Sequence, residues 1–405
     1  MVPSVEATIA DRIVAIRRDL HRHPELSWQE HRTADLIGWR LDELGISHRR
    51  VLDTGVIADL GDRSGVPTVS IRADIDALPI QEETGLPFAS IHDGVMHACG
   101  HDGHTSMLLG AAELLAREED LPAPVRLIFQ PAEEEGAGAK AMLEAGVLDG
   151  VAVAFAGHLD RHFPTGTLVV TDGPVSASTD YFRIAVEGAG GHAARPHETV
   201  DAVVVGSLIV LALQTIVSRE IDPTHPSIVT VGRFDAGTAA NVIAGQAVLE
   251  GTIRAQDPGV REHLKASIHR IADSIGELHQ SSLQVEFREG SPAVVNTPVA
   301  TEISRQAAVE VVGKEHVRAL GRANMGGEDF SYFLRQVPGC YIRFGARPEA
   351  TKGFPAHSSR FDFDEAALPI GAAWMVEIAK RAGRALVEGK LQESTSAKLM
   401  EEALS

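Results

Sequence analysis

Short apolar runs alternate with helix-like patterns through the first 160 residues of the chain. Residues 68–73, 125–129 and 151–156 are short runs rich in apolar residues, a pattern typical of buried strands. The segment after His101 instead has its apolar residues at intervals of three and four, which predicts a helix. Buried strands separated by helices predict an α/β fold in which a mostly parallel sheet is covered by helices on both faces.

A further helix is predicted before the first of these strands. The string SWQE, from Ser27 to Glu30, has the spacing of a capping box, in which the two side chains bond the first backbone N–H groups of a helix. Apolar residues then recur on one stripe of that helix, and Gly45 is placed to end it. The stripe consists of Leu36, Ile37, Leu41 and Leu44.

From about residue 181 the order of the elements changes. The pattern predicts, in chain order, a strand at 182–187, a helix at 198–219, strands at 227–234 and 247–254, a helix at 258–278 and a strand near 283–288. This order of strand, helix, two strands, helix and strand is the split βαβ arrangement, a self-contained α+β unit.

The last part of the chain returns to the first pattern, with helices predicted at 297–312 and 366–388. A chain of 405 residues is also too long for one ordinary hydrophobic core. We therefore predict a smaller domain, 179–291, inserted into a main domain that comprises residues 1–178 and 292–405.

The longest apolar run of the chain covers residues 202–217. It is shorter than the roughly 20 residues that span a bilayer and it contains polar residues, so we interpret it as a buried helix. The first 20 residues carry charges every few positions and lack the apolar core of a signal peptide. We therefore expect a soluble protein.

Composition narrows the range of partners. The net charge is −19 and aromatic residues make up 5% of the chain, which argues against nucleic acid and against an anionic membrane surface as partners. The only two cysteines, Cys99 and Cys340, form no disulfide framework, although the sequence leaves a bond between them open. Their scarcity favours a reducing, cytoplasmic compartment.

The string HACGHDGH, from His97 to His104, concentrates three histidines, one cysteine and one aspartate. Cys99 and His101 lie in a glycine-containing turn before the predicted helix, and thiolate and imidazole at this spacing can bind one metal ion or bridge two. Two other interpretations stay open. Cys99 could be a reactive thiol, and several of these histidines could only form hydrogen bonds or face solvent.

Acidic and histidine side chains follow the ends of the predicted strands. Asp76 comes just after the strand at 68–73, Glu133–Glu135 follow the strand at 125–129, and His158 ends the next strand. Sites in parallel sheets gather beyond the carboxyl ends of the strands, and adjacent carboxylates can divide metal binding and proton transfer between them. Taken singly, an acidic run is also typical of a solvated surface, and His158 of a core histidine.

These segments, together with a loop that contains His357, form an ordered set of motifs. Between about residues 15 and 385 the chain contains DLHRHPELSWQE, IRADIDALPI, MHACGHDGHTSMLLGAA, IFQPAEEEGAGAKAML, GAGGHAARPHETVDAV, NVIAGQAVLEGTIR, GGEDFSYF and HSSRFDFDE. In content and order they resemble the di-metal amidohydrolases of the aminoacylase type. That group includes hippurate hydrolases, auxin-conjugate hydrolases and N-acetyl-diaminopimelate deacetylases.

The resemblance implies two divalent metal ions per subunit. Their ligands would be Cys99, His101, Glu134, His158 and His357. Glu133 would be the general base, and Asp76 would lie next to the ligands. Because Glu135 stands where glycine is usual, Glu134 and Glu135 are an alternative working pair. A mixture of thiolate, imidazole and carboxylate suits Zn and leaves Mn, Co and Ni open.

The inserted domain resembles the lid and dimerisation domain of that family, which implies a homodimer. By the same resemblance, His192 in GGHAARPH would stabilise the developing oxyanion, and Asn241 in NVIAG would help bind the substrate carboxylate. Arg254 in GTIR is a second candidate for substrate binding, or else a surface arginine at the end of a strand. The family usually has proline where Ala244 stands.

The function implied is metal-dependent hydrolysis of the amide bond of N-acyl amino acids, which releases a carboxylic acid and a free amino acid. The alternative within the class is a dipeptidase or carboxypeptidase on the same scaffold. Two further alternatives are a non-enzymatic metal-binding or ligand-binding module and a redox-active thiol protein. The ligand set together with Glu133 argues against the module, and thiol chemistry alone would not depend on metal.

Overall fold

The computed structural model describes residues 6–321, 324–348 and 353–391. The helices are α1 (Ala7–Arg22), α2 (His31–Glu43), α3 (His101–Leu115), α4 (Gly138–Glu144), α5 (Ala202–Thr215), α6 (Pro258–His279), α7 (Pro298–Val312), α8 (Ser331–Leu334) and α9 (Ala367–Val387). The first strands are β1 (His48–Val51), β2 (Gly55–Leu60), β3 (Thr68–Asp74), β4 (Val125–Gln130), β5 (Val151–Pro164), β6 (Leu168–Val169), β7 (Gly173–Pro174) and β8 (Ser178–Glu187). The others are β9 (Gly191–His192), β10 (Ser227–Ala236), β11 (Val242–Ile243), β12 (Gln246–Ala255), β13 (Ser282–Glu289), β14 (Val295–Asn296), β15 (Val317–Arg318) and β16 (Gly339–Arg347).

The described residues form two compact units. The first comprises residues 6–173, 295–321, 329–348 and 353–391, and the second comprises 174–294 and 324–328. The second unit therefore contains the predicted insert, 179–291, and in addition a short segment from a later part of the chain, which the pattern of apolar residues did not indicate.

The first unit contains an eight-stranded sheet in the order β1-β2-β4-β3-β5-β16-β6-β15. The central strands β4, β3, β5 and β16 are parallel to one another, which confirms the predicted parallel core. Antiparallel pairs flank it, between β1 and β2, β2 and β4, and β16 and β6. Because the central strands point the same way, the loops that follow β3 and β4 leave the sheet at the same edge.

Helices cover both faces of this sheet, as the strand pattern predicted. On β16, Phe344 packs against Trp374 of α9 with ring centroids 5.6 Å apart. Tyr341 points to the opposite face, three residues earlier in the same strand, and its ring lies 5.8 Å from that of Phe330, just before α8. The burial of both aromatic rings shows that neither face of the strand is left to solvent.

The capping box predicted at Ser27 and Glu30 is wrong. Helix α2 begins at His31, and its first N–H groups are bonded by Glu25, whose carboxylate accepts from the backbone N–H of residues 32 and 33 at 3.0 and 2.8 Å. Ser27 Oγ instead donates to Asp76 Oδ2 at 2.7 Å. Glu30 Oε1 accepts from the backbone N–H of Ala132 at 2.9 Å. Both side chains therefore support loops that follow the central strands, and not the helix.

The second unit has the predicted split βαβ order. Its four-stranded antiparallel sheet has the order β10-β12-β8-β13, and α5 and α6 pack against it. Helix α5 begins at Ala202, and not at residue 198, because the Asp201 carboxylate accepts from the N–H groups of Val203 and Val204. Residues 196–198 form a separate 3₁₀ turn.

Helix α5, predicted as a buried helix over 202–217, is buried on one face only. Val205, Ile209 and Leu213 face the core of the second unit, but the opposite face exposes apolar side chains. These are Val203, Val204, Leu208 and Leu211, of which Leu211 is 67% exposed. By length and composition alone, the segment Ala202–Glu220 could also span a membrane, a test that core helices of soluble proteins pass too.

Arg17 in α1 provides a test of the first unit's core. Its fully buried guanidinium bonds Asp102 at 2.9 Å, Asp362 at 3.0 Å and Glu365 at 3.1 Å. Arg17→Met would leave the buried Asp102 carboxylate without its cation, so we expect a loss of about 3–5 kcal/mol in the free energy of unfolding, measured by urea denaturation. The matched control is Arg18→Met, which removes a half-exposed partner of Glu365 and should cost less than about 1 kcal/mol. Equal losses in the two variants would contradict the prediction.

Candidate metal centre

Cys99 and His101 are placed by the turn that leads into α3. Gly100, between them, has φ 100°, a left-handed conformation that side-chain-bearing residues rarely adopt. His101 is the first residue of the helix, and both side chains are buried. The turn therefore presents a thiol and an imidazole at the same end of α3.

The segments that carry Glu133 and His357 approach Cys99 and His101 through residues with an uncommon backbone conformation. Ala132, just before Glu133, has φ 53°, and His357 has φ 66°. Non-glycine residues in this region are uncommon and need support from their surroundings. The Ala132 N–H is held by Glu30, and the His357 N–H donates to the carbonyl of Ala98 at 2.8 Å.

The structure brings the six predicted ligand and base residues together. Cys99 Sγ lies 3.2 Å from His158 Nε2, and His357 Nε2 lies 3.4 Å from Glu134 Oε2. His101 Nε2 is 3.9 Å from Glu134 Oε1 and 4.0 Å from Glu133 Oε2. Three overlapping groups have donor atoms within 4.8 Å of one another: Cys99, His101 and His158; Cys99, Glu134 and His357; and His101, Glu133 and Glu134.

The donor atoms of this cluster fit divalent metal ions. The Nδ1 atom of His101 bonds Asp76, and that of His158 donates to the carbonyl of Leu159 at 2.7 Å, so each ring directs Nε2 into the cluster. His101 Nε2 and Glu134 Oε1 are buried and have no hydrogen-bond partner among the described residues. Buried polar atoms are rarely left unpaired, and a cation would satisfy both.

Asp76 connects several of these groups. Its carboxylate accepts from Ser27 Oγ and from the backbone N–H of Glu134 at 3.0 Å, and it bonds His101 Nδ1 at 3.1 Å. One buried side chain thus contacts both the His101 ring and the loop that carries Glu134.

His97 and His104 are not among the predicted ligands. His104 Nδ1 bonds Asp74 at 2.5 Å and its Nε2 accepts from the N–H of Leu159 at 2.9 Å, so both nitrogens are occupied. His97 is buried, and burial lowers its pKa to about 4. Asp74, for which the motifs predict no specific role, forms a further group of possible metal ligands with His101 and His104, and its Oδ2 lies 3.7 Å from His101 Nε2.

Glu135 is directed away from the cluster. Its side chain is exposed and accepts from the indole N–H of Trp28 at 2.9 Å. Glu133 and Glu134 are the pair directed at the donor atoms of His101.

Burial and neighbouring charges set the protonation of the cluster. Burial raises the pKa of the Cys99 thiol to about 12, and the charge of Glu134 adds to the effect. Burial also lowers the pKa of His158 well below its usual range. For His101 burial acts in the same direction, but Asp74 and Asp76 outweigh it and hold its pKa well above normal. A hydrogen bond to Glu134 raises the pKa of His357.

The remaining predicted residues lie in the second unit. His192 is exposed, and its Nδ1 accepts from the N–H of Ala194 at 3.0 Å. Asn241 is close to it, since its carbonyl accepts from the N–H of Ala193 at 3.2 Å and β9 pairs with β11. Arg254 is half-buried and donates to Thr179 Oγ1 at 3.2 Å and to the carbonyl of Met325 at 3.0 Å, so it is not a free surface arginine.

Comparison with known proteins gives one family. Residues 70–381 match Peptidase family M20/M25/M40. The N-acetyl-L-cysteine deacetylase of Bacillus subtilis (strain 168) is 40% identical over 390 residues, which cover 96% of this chain and 92% of that protein. Thermostable carboxypeptidase 1 of Saccharolobus solfataricus is 41% identical over 372 residues, covering 90% of this chain and 93% of that protein.

A solved structure is similar along almost the whole chain. It is that of the Bacillus subtilis YXEP protein, described as a dinuclear metal-binding peptidase of family M20. The TM-score is 0.81 at 37% sequence identity, and the match covers 92% of this chain and 98% of that one.

Metal binding should release protons from Cys99. At neutral pH the thiol is protonated, since its pKa is about 12, whereas the thiolate is the form that binds metal. Saturating the metal-free protein with Zn²⁺ in a weakly buffered solution should therefore release about one proton more from the wild type than from Cys99→Ser, and the affinity should fall as the pH is lowered.

The control for this measurement is Cys340→Ser. Cys340 is equally buried, with its pKa also raised to about 12, but it lies in the core on β16, next to Phe155 in the ladder. This variant should release as many protons as the wild type. Equal release from Cys99→Ser would show that the thiol does not bind the ion.

Proposed function

The chain belongs to Peptidase family M20/M25/M40 and is a metal-dependent hydrolase, and we propose that its reaction is hydrolysis of the amide bond of N-acyl amino acids. The observation that carries the proposal is that two buried atoms, His101 Nε2 and Glu134 Oε1, have no hydrogen-bond partner among the described residues and lie in one cluster with the Glu133 carboxylate. The 40% sequence identity to a deacetylase, over 96% of this chain, supports N-acyl amino acids as the substrate class.

We propose that the cluster holds two divalent ions. Cys99, His101, Glu134, His158 and His357 would hold them. The mixture of sulfur, nitrogen and oxygen donors suits Zn, and Mn, Co and Ni are compatible with it. Bound divalent ions would polarise the substrate carbonyl and lower the pKa of a water molecule to about 7.

Glu133 is placed to move the protons of the reaction. Its Oε1 accepts from the backbone N–H of Asp329 at 3.4 Å, and its Oε2 lies 4.0 Å from His101 Nε2. In the proposed reaction this carboxylate takes a proton from the attacking water and delivers it to the departing amine nitrogen. Water is added across the C–N bond, so the products are a carboxylic acid and an amino acid.

The second unit would supply the groups that bind substrate. We propose that the exposed His192 ring donates to the oxyanion that develops on the amide carbonyl, a contribution worth roughly 3–4 kcal/mol in such sites. Asn241, which is close to it, would bind the substrate carboxylate. Arg254 remains a second candidate for substrate binding, although its guanidinium already donates to Thr179 Oγ1 and to the carbonyl of Met325.

A dipeptidase or carboxypeptidase activity is the alternative, and the 41% identity to a carboxypeptidase favours it. The two activities differ only in the group on the acyl side of the cleaved bond. Rates on N-acetyl amino acids, N-benzoyl amino acids and dipeptides separate them.

We also propose a cytoplasmic homodimer. The exposed apolar residues of α5, Val203, Val204, Leu208 and Leu211, form a surface of the kind that dimers bury. Both cysteines are free, as the metal-binding role of Cys99 in a reducing compartment requires.

Glu133→Gln tests the general base. The amide keeps the size of the side chain but cannot accept a proton, so we expect kcat on N-acetyl amino acids to fall by about 10²- to 10⁴-fold with no change in metal content. Glu135→Gln is the matched control and should retain near wild-type activity, because that side chain faces solvent and Trp28. Full activity in Glu133→Gln, or its loss in Glu135→Gln, would point to Glu134 and Glu135 as the working pair.

Leu211→Lys tests the dimer. A charge in the middle of the exposed apolar face of α5 should convert the protein from dimer to monomer in sedimentation velocity at micromolar concentration. Leu278→Lys changes a leucine of α6 that is 75% exposed and should leave the dimer intact. A monomeric wild type would refute the proposed assembly.

A further inference from the structure

Arg343 lies beside the candidate metal centre on the neighbouring strand. It is the cross-strand partner of His158 in the parallel pairing of β16 with β5, and paired residues direct their side chains to the same face of a sheet. Because neighbouring strands are about 4.8 Å apart, the side chains of Arg343 and His158 leave the backbone at adjacent positions of the sheet. His158 is a proposed metal ligand whose Nε2 contacts Cys99, so Arg343 lies next to the candidate metal centre.

Arg343 is 9% exposed, and its Nε is buried without a hydrogen-bond partner among the described residues. Its two terminal nitrogens are not buried and unpaired in this way. Its one notable contact is with the ring of Tyr341, whose centroid lies 5.1 Å from the guanidinium carbon.

Two other buried arginines of the same unit show how such a charge is normally compensated. Arg17 bonds three carboxylates. Arg72 bonds Asp74 at 2.7 Å and Asp329 at 2.9 Å through its two terminal nitrogens, and its Nε bonds Gln130 at 2.8 Å. Arg343 is 9% exposed, against 0% for Arg17 and 1% for Arg72, and no carboxylate bonds it within the part of the chain that the structure describes.

An arginine in this position is suited to pair with an anionic ligand. Its Nε–H is buried and unpaired, which is costly, and no carboxylate of the described residues bonds the guanidinium. The planar fork of N–H groups matches a carboxylate in a two-point contact. Divalent ions bound at His158 would add positive charge nearby and favour an anion at this place still further.

We propose that Arg343 binds the carboxylate of the substrate, from within the unit that holds the metal centre. This inference rests on the proposed function, because it takes the N-acyl amino acid as the ligand. It adds a recognition residue on β16 to those proposed in the second unit. A substrate that carries its carboxylate would be selected over the same molecule with a neutral group at that position.

The test compares an acid with its neutral analogue. Arg343→Met keeps the length of the side chain and removes the charge. With N-acetyl-L-leucine the variant should show a kcat/KM about 10- to 100-fold lower, mainly through KM, whereas N-acetyl-L-leucinamide should be affected less than about twofold. Arg343→Lys keeps the charge without the fork and should lie between the wild type and Arg343→Met.

Stability is a second readout, independent of activity. Because Arg343 bonds no carboxylate of the described residues, Arg343→Met loses only the contact with the Tyr341 ring and should leave the melting temperature nearly unchanged or higher. Arg72→Met, the matched control, strands Asp74 and Asp329 without their cation and should lower the melting temperature by about 5–10 °C. A large drop in Arg343→Met would mean that the residue has a structural role, and would overturn the proposal.

The outcomes separate this proposal from the function on which it rests. Equal losses of kcat on the acid and the amide would show that Arg343 acts on the reacting carbonyl, and unchanged kinetics would show that it binds no substrate group. If the wild type hydrolyses neither compound, the proposed function fails. Calorimetric binding of N-acetyl-L-leucine and of its amide to metal-free wild type and Arg343→Met then still decides whether the arginine recognises a carboxylate.

Discussion

Parallel pairing of the central strands is the constraint on which the candidate site depends. Since β4, β3, β5 and β16 run in the same direction, side chains that are remote in sequence meet at one edge of the sheet. The pairing also decides which residue faces the cluster. His158 contacts Cys99, whereas its neighbour Leu159 points towards Gly103 of α3. A shift of one residue would exchange an imidazole for an isobutyl group at the centre of the site.

A helix-capping pattern in the sequence is not used for capping where its side chains are needed to support the candidate site. The string SWQE has a helix-capping pattern, yet Ser27 bonds Asp76 and Glu30 holds the strained backbone at Ala132. The helix is capped instead by Glu25, whose carboxylate lies outside the motif. Departures of this kind are expected at functional positions, because the chain there is selected for the geometry of the site.

Much of the fold followed from the spacing of apolar residues, because burial on one face imposes a period of two on strands and of about 3.6 on helices. That is why the strand and helix order of the second unit and the parallel core were predicted from the sequence. Periodicity could not show that α5 leaves one face exposed, since a helix that is apolar all round has the same sequence pattern whether it is covered by its own domain or by another molecule.

The candidate ligands were predicted from the sequence motifs that contain Cys99, Glu133 and their neighbours. The partners of each ring nitrogen could not be predicted, because tertiary contacts with Asp76 and Leu159 decide them.

The contrast between paired and unpaired buried polar groups connects the metal centre with Arg343. In the first unit, Arg17 and Arg72 are surrounded by carboxylates, as the cost of burying a charge requires. His101 Nε2, Glu134 Oε1 and Arg343 Nε are buried without such partners in the described chain, and His158 lies next to the last of these in the sheet. His101 lies on α3 and Glu134 in the loop after β4, whereas Arg343 lies on β16 beside His158 of β5. In the proposed reaction, metal ions would pair with His101 Nε2 and Glu134 Oε1, and the carboxylate of a bound substrate would pair with Arg343, so that one complex would satisfy all three groups.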